Sequence, residues 1–254
     1  MVETFKSSYL LMMRALRESL RQPGVELGNI FIPIFFFAVT VGAIGSIAGR
    51  AFGVDNFLGF QMPVAILQAV TGAAGSAGLG TVTDIERGYF DKLMLTPAPR
   101  LALVLGRLGA DSVRAMALTV LILVAGLIFG SGMEAGPLGA LIIIAMAGMF
   151  GLAYSGIGMS IALRTGSAQA AQLGFLLFFP LLFLSPAFAP KEIFAPWLEF
   201  LATINPVTYI LQGMRHLVLE GWSLGSLAAA FGSIAGFAAV TLSLTLAALR
   251  SRTA

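Results

Sequence analysis

Few residues in this 254-residue chain could do chemistry, and their spacing rules most reactions out. His216 is the only histidine and there is no cysteine. No zinc cluster, disulfide or thiol chemistry can therefore be assembled, and no Ser/His/Asp pattern forms around the one imidazole. No GxxxxGK(S/T) loop is present to cradle phosphates; the lysines are Lys6, Lys92 and Lys191. Asp84 and Glu86 stand among basic residues, as a structural or partner-facing pair and not as a general acid and base. Asp111 and Arg114 are three residues apart and can pair with one another. The other polar side chains, Gln61, Gln68, Thr71, Tyr154, Ser155, Ser160, Gln169 and Gln172, are spread through oily sequence. Such groups serve either interhelical hydrogen bonding or contact with an amphipathic cargo. A proton or sodium relay needs ionisable groups deep in the membrane, and none lies near the middle of an apolar stretch.

The elements that carry these residues are long and apolar. The chain is 58% hydrophobic and 11% charged, with a mean hydropathy of +0.93; a soluble domain carries about 25% charged residues. So few charges cannot cover a surface in water. Crossing a bilayer takes roughly 20 mainly apolar residues, helical so that every backbone N–H and C=O is paired within the segment. Six stretches qualify, at about 28–49, 58–82, 109–130, 138–163, 168–189 and 225–249. Twelve of the fifteen Lys and Arg residues fall on one side of them: before the first, between 87 and 114, at Arg164, and after the last. Arg50, Lys191 and Arg215 fall on the other. The positive-inside rule then places both termini in the cytoplasm. The same asymmetry assigns the net charge of +3 and the pI of 9.6 to membrane orientation and not to nucleic acid. Trp197 and Trp222 lie in the last outer segment, as belt residues do.

Between the stretches the chain is patterned. Residues 3–21 read as an amphipathic interfacial helix, with Phe5, Tyr9, Met12, Leu16 and Leu20 on one stripe and Lys6, Arg14, Arg17 and Arg21 largely off it. The charges in this segment are wrong for a cleavable signal peptide. Gly72, Gly75, Gly78 and Gly80 in the second stretch allow close helix approach. GxxxG also occurs at Gly126/Gly130 and Gly232/Gly236, where ordinary packing explains it. Pro33, Pro180 and Pro186 predict kinks in the first and fifth stretches. Thr83 and Glu86 have capping-box spacing, so a helix restarts there, with Ile85, Phe90, Leu93 and Met94 among Asp84, Glu86, Arg87, Asp91 and Lys92, until Pro97 ends it. This short, half-apolar helix has little to bury within its own chain; it inserts into another protein or lies on lipid. Asn205-Pro206 reads as an N-cap with proline at the first helical position. Val207, Ile210, Leu211, Met214, Leu217 and Val218 follow at helical spacing, and Gly221 stops the helix. The outer segment from Pro190 to Ser223 thus holds one or two short helices dipping part-way into the outer leaflet.

The stretch TDIERGYFDKLMLTPAPR, Thr83 to Arg100, followed by Leu105-Gly106-Arg107, resembles the cytoplasmic signature of type-2 ABC transporter permeases of the daunorubicin-resistance kind. INPVTYILQGMR, Ile204 to Arg215, is similar to that family's segment before the last span. Six spans, the leading amphipathic helix and the cytoplasmic termini extend the likeness over residues 1–254 as a single type-2 ABC transmembrane domain. The implied fold is all-α and polytopic: six transmembrane helices, an N-terminal interfacial helix, a cytoplasmic coupling helix and short outer re-entrant helices carrying Asn205, Pro206, Tyr209 and Arg215.

The resemblance implies a motor outside the chain. Glu86 and Gly88 match the family's E-x-G element, and Phe90 to Thr96 its coupling helix. Asp84, Glu86, Gly88, Phe90, Asp91, Lys92, Leu93, Thr96, Pro97 and Arg100 are then expected to contact an ATPase subunit, with Arg164 and Thr165 as a second cytoplasmic contact. ATP and Mg belong to that partner, with no cofactor on this chain. Two ATPase subunits and a second permease chain, identical or homologous, complete the plan in the plasma (inner) membrane. A lipophilic small molecule or lipid passes near spans 2 and 5, where Gln68, Thr71, Gln169, Gln172 and Phe175 are candidate path residues. Two other classes stay open: a non-transporting membrane scaffold or immunity component, which needs no ATPase, and a channel, which needs a continuous polar pore face that no span shows.

Overall fold

The computed structural model describes residues 2–21, 23–95 and 99–253. It is 86% helical, with no strand among the described residues. The helices are α1 (Val2–Leu20), α2 (Pro23–Phe52), α3 (Phe57–Ala74), α4 (Ser76–Glu86), α5 (Tyr89–Met94), α6 (Arg100–Ile128), α7 (Gly136–Thr165), α8 (Ala168–Leu176), α9 (Phe178–Phe183), α10 (Pro196–Ile204), α11 (Pro206–Leu219) and α12 (Leu224–Thr253). Among the described residues, five segments are long and apolar enough to cross a membrane: Glu26–Ala48, Phe57–Glu86, Arg100–Ile128, Gly136–Thr165 and Leu224–Arg252. The chain is therefore an all-α, multi-pass membrane protein. The termini of α1 and α12, with α5, mark its basic end; α10 and α11 lie at the far end.

The fifth expected stretch, 168–189, is instead the shorter apolar helix Ala168–Phe183, made of α8 and α9. At 1.5 Å per residue it reaches about 24 Å. Proline explains the break at Leu177: Pro180 has no N–H for the carbonyl of Leu176, and its ring crowds that carbonyl. Pro33, by contrast, sits inside an uninterrupted α2. Helix α6 starts at Arg100, well before the expected residue 109, because Pro99 releases the chain directly into helix. Its first turns continue past the apolar stretch and pack on α1.

The α3–α4 pair is the buried axis of the bundle. Met62, Ile66, Leu67 and Val70 on α3 meet Ile143, Met146 and Phe150 on α7, with Ile210, Leu211 and Met214 of α11 closing the far end. In lipid these contacts stabilise the bundle through close van der Waals packing and not through removal from water. The expected stripe on α11 is the face that is buried. Asn205 caps that helix, its Oδ1 accepting from the Val207 N–H at 3.0 Å and its Nδ2 donating to the Leu181 carbonyl at 2.5 Å. Phe5, Tyr9 and Leu20 of the α1 stripe stay exposed, the arrangement of a helix lying on lipid.

Of the glycine run, Gly78 makes a close backbone approach to another helix, while Gly72 and Gly80 face the side chains of Asn29 and Arg107 and Gly75 meets no other helix. A Cβ on Gly78 would stand 2.8 Å from the Gly158 carbonyl oxygen, and one on Gly174 would stand 3.1 Å from Gly158 Cα. Three helices, α4, α7 and α8, thus meet at three glycines. Gly106 of α6 admits α1 in the same way, with Leu11 Cβ 2.6 Å from the Cβ position. Gly232 and Gly236 face open space.

Gly78→Val must collide with backbone that cannot yield, so it is expected to cost about 1–3 kcal/mol and to lower the melting temperature of the detergent-solubilised protein. Gly236→Ala, measured beside it, is expected to leave melting unchanged or raise it slightly.

Candidate functional site

At the basic end, α4 runs unbroken through Thr83, whose hydroxyl donates to the Leu79 carbonyl of its own helix at 3.0 Å. The expected restart at Thr83 is therefore corrected: the new helix, α5, begins after Gly88. That residue adopts a left-handed conformation (φ 64°) that favours glycine, which accounts for it in the E-x-G element. Glu86, Asp91, Lys92 and Arg100 are exposed, as are Arg164 and Thr165 at the end of α7. Leu93 is half-buried. Thr96 and Pro97 lie outside the described residues.

Two of the expected contacts turn inward. Phe90 is buried among Val104, Leu108, Met159 and Leu163. Asp84 is buried too, accepting from Arg14 at 3.0 Å and pairing with Arg107. The short helix thus has its own apolar floor, contrary to the expectation that it buries little within the chain. Its free face is Asp91, Lys92 and the exposed Leu95. Arg14 also lies 3.9 Å from the centroid of the Tyr89 ring, tying α1 to α5.

Deeper in the bundle lies an ionic network. The Arg114 guanidinium donates to Asp111 at 3.1 Å, to Glu26 at 2.5 Å, to the Ala73 carbonyl at 3.2 Å and to Ser76. Asp111 also accepts from the Ser76 hydroxyl at 2.5 Å, from the Ala77 N–H at 3.0 Å and from Ser155 at 3.0 Å. Ser19 of α1 donates to Glu26 at 2.5 Å. The expected Asp111–Arg114 pair is present, and it recruits α1, α2, α4 and α7. Asp111 serves the free first-turn amide of α4, a place where a carboxylate is favoured.

Between α2, α3 and α8–α9 runs an open groove. Phe36, Phe175, Phe178, Phe179, Phe183 and Phe188 line most of it, with Asn29, Gln68, Thr71 and Gly72 supplying its polar part. Phe175 and Phe179 meet edge to face, with centroids 5.5 Å apart. Of the expected path residues, Gln68, Thr71 and Phe175 come together here. Gln169 and Gln172 are exposed on α8 and do not line the groove. The Thr71 hydroxyl is occupied by carbonyls of its own helix at 2.9 and 3.0 Å. The sequence reading missed Asn29, whose Nδ2 is sealed from solvent without a hydrogen-bond partner. An unpaired buried donor costs about 1–3 kcal/mol. The available signal was a carboxamide one helical turn beyond Glu26.

At the far end, Arg215 is buried and donates to three backbone carbonyls: Phe60 at 2.9 Å, Pro186 at 2.6 Å and Ala187 at 3.0 Å. Its guanidinium carbon stands 3.5 Å from the centroid of the Phe60 ring, a cation–π contact. Arg215 therefore pins the turn after α9 to α3. Tyr209 donates to the Thr203 carbonyl at 2.6 Å, joining α11 to α10. His216 pairs locally with Glu220 at 2.9 Å, as a lone histidine on an outer helix would.

A helical bundle with an aromatic groove open along one side, charged anchors at both ends and a short projecting helix has the makings of a membrane permease. A family model described as "ABC-2 type transporter" matches residues 7–219, and the chain belongs to that family. It is 26% identical over 224 residues to the daunorubicin resistance ABC transporter permease protein DrrB1 of Streptomyces coeruleorubidus, covering 85% of this chain and 77% of the relative. It is 22% identical over 195 residues to a Mycobacterium tuberculosis protein described as "Probable doxorubicin resistance ABC transporter permease protein DrrC", covering 77% and 70%.

Asp111→Ala leaves Arg114 short of one of its two counter-charges, the more deeply buried one, and is expected to cost about 3–5 kcal/mol, read as loss of folded protein in a size-exclusion melt. Glu86→Gln, on an exposed side chain, is expected to stay within about 0.5 kcal/mol in the same assay.

Proposed function

We propose that this chain is the membrane-spanning subunit of an ATP-driven exporter that moves a lipophilic or amphipathic substrate, a drug, antibiotic or lipid, out of the cytoplasm. The observation that carries this reading is the aromatic groove between α2, α3 and α8–α9, in a chain whose relatives are described as drug-resistance permeases. ATP and Mg act on two separate ABC ATPase subunits. A second permease chain, identical or homologous, faces the groove across the complex. The protein sits in the plasma (inner) membrane with both termini cytoplasmic, as its basic end requires.

The contacts suggest how force would travel. A push on Asp91, Lys92 and Leu95 moves α5, whose neighbour Asp84 is tied to Arg14 of α1 and Arg107 of α6. Helix α6 carries Arg114, and Arg114 holds Glu26 of α2. Helix α2 is a wall of the groove. Closure of the ATPase pair would in this way alter the groove and alternate its access between the two sides.

The test is a mild-detergent pull-down from the native membrane with ATPase activity measured on what co-elutes. Leu95→Asp is expected to weaken ATPase retention roughly tenfold, as loss of an interface anchor does, while leaving the melting temperature unchanged. Phe90→Asp is a poorer test because it also disrupts the buried floor. A folded, partner-free dimer from wild-type membranes would overturn the reading in favour of a non-transporting membrane component.

A further inference from the structure

Two arginines on different helices face one cleft at the basic end, and it shares no residue with the aromatic groove. Helices α6 and α12 both pack on α7, and the cleft lies between the first turn of α6 and the last turns of α12. Arg100 and Leu101 form one wall; Leu246, Leu249 and Arg250 form the other. Both arginines are exposed and Leu249 is buried, so charge rims the cleft and leucine floors it. Among the described residues no carboxylate lines it. Helix α12 carries no Asp or Glu, and the first on α6 is Asp111, which belongs to the ionic network. One turn farther into the membrane, the same helix faces carry Leu105 and Leu242. Leu105 is exposed, and Leu242 packs on the cluster that holds Leu108 and Met159. Cations thus stand at the ends of two spans, Arg100–Ile128 and Leu224–Arg252, with an apolar track beneath them.

We propose that this cleft binds an acidic phospholipid, its phosphate held between Arg100 and Arg250 and an acyl chain lying along Leu101, Leu105, Leu242 and Leu246. Guanidinium and phosphate meet through charge-assisted hydrogen bonds, two at a time where the fork is aligned. A guanidinium has five N–H donors, so each arginine can hold a phosphate beside the contacts it makes within the chain. Basic pockets between helix ends at a membrane surface attract acidic headgroups for the same reason. A carboxylate on a soluble partner, or a free phosphate, matches the arginines and leaves the leucine track unused; a lipid matches both, in the order in which they stand. The bound lipid links α6, the helix that follows α5, to α12. Arg100 then answers to the membrane instead of to an ATPase. The cleft holds the lipid whether or not the groove carries a substrate.

The experiment uses the full-length protein, delipidated in detergent, and reads lipid binding by native mass spectrometry. The probes are phosphatidylglycerol and phosphatidylcholine with identical acyl chains. Wild type is expected to bind its first phosphatidylglycerol about tenfold more tightly than phosphatidylcholine. Arg100→Gln with Arg250→Gln is expected to remove most of that preference. Leu101→Glu, which keeps both arginines and sets an anion in the cleft at an exposed position, is expected to do the same. Arg17→Gln with Arg21→Gln takes the same charge from the exposed side of α1 and is expected to retain the preference. Glycerol phosphate at the lipid's concentration is not expected to displace it. A wild type without the preference, a preference that survives the paired cleft change or Leu101→Glu, or one that falls as far in the α1 pair, overturns the site. Displacement by glycerol phosphate overturns the lipid as its occupant.

Discussion

A buried guanidinium organises the basic half of this bundle. Arg114 is buried, and an unpaired charge in such a place is expensive. Its solution is to draw acceptors from three directions: Asp111 on its own helix, Glu26 on α2, and Ser76 with the Ala73 carbonyl where α3 gives way to α4. Asp111 in turn gathers Ala77 and Ser155. Helix positions at this end follow from satisfying one charge. The division of the second span into α3 and α4 has the same origin, since Asp111 supplies a partner for an amide that a fresh helix start leaves free.

The groove follows from how unevenly the helices are held. Glycines 78, 158 and 174 bring α4, α7 and α8 into backbone contact. Tyr154 adds a hydrogen bond from α7 to the Gly174 carbonyl at 2.8 Å, and Thr245 of α12 bonds the Gly156 carbonyl at 2.8 Å. Beyond Glu26, which Arg114 holds, α2 has no such hydrogen bond to another helix among the described residues; it packs on α3 and shows most of its apolar surface to the outside. A tightly knit group of helices beside a loosely packed one leaves a lateral trough between them.

Hydropathy and charge made most of the fold legible, because a bilayer enforces long apolar helices and sorts Lys and Arg by side. The N-cap at Asn205 and the buried face of α11 were legible for a local reason, since capping and helical spacing are written in adjacent residues. The length of the fifth span was harder: Pro180 signalled a kink, but how far the helix reaches depends on the turn that Arg215 holds. The inward turn of Phe90 and Asp84 was hidden, because their partners, Leu108, Met159, Arg14 and Arg107, lie on other helices. Asn29 was hidden as well. A carboxamide in an apolar run looks like any interhelical hydrogen-bonding group until the residue it lies against on α3 proves to be Gly72.

The placement of polar chemistry divides the molecule into anchors and a compliant middle. Arg114 fixes the basic end through charge-assisted hydrogen bonds, which are about twice as strong as neutral ones. Arg215 fixes the far end through three carbonyls and an aromatic face. Between them the wall from Pro33 and Phe36 of α2 to Phe179 and Phe183 of α9 is held by dispersion, which depends on contact area and little on direction. Sliding one aromatic surface past another forfeits little as long as the area stays covered, whereas breaking either arginine cluster strands several buried groups at once. A permease needs helix ends that hold their connections and a middle that can change shape around a cargo. This distribution of forces supplies both.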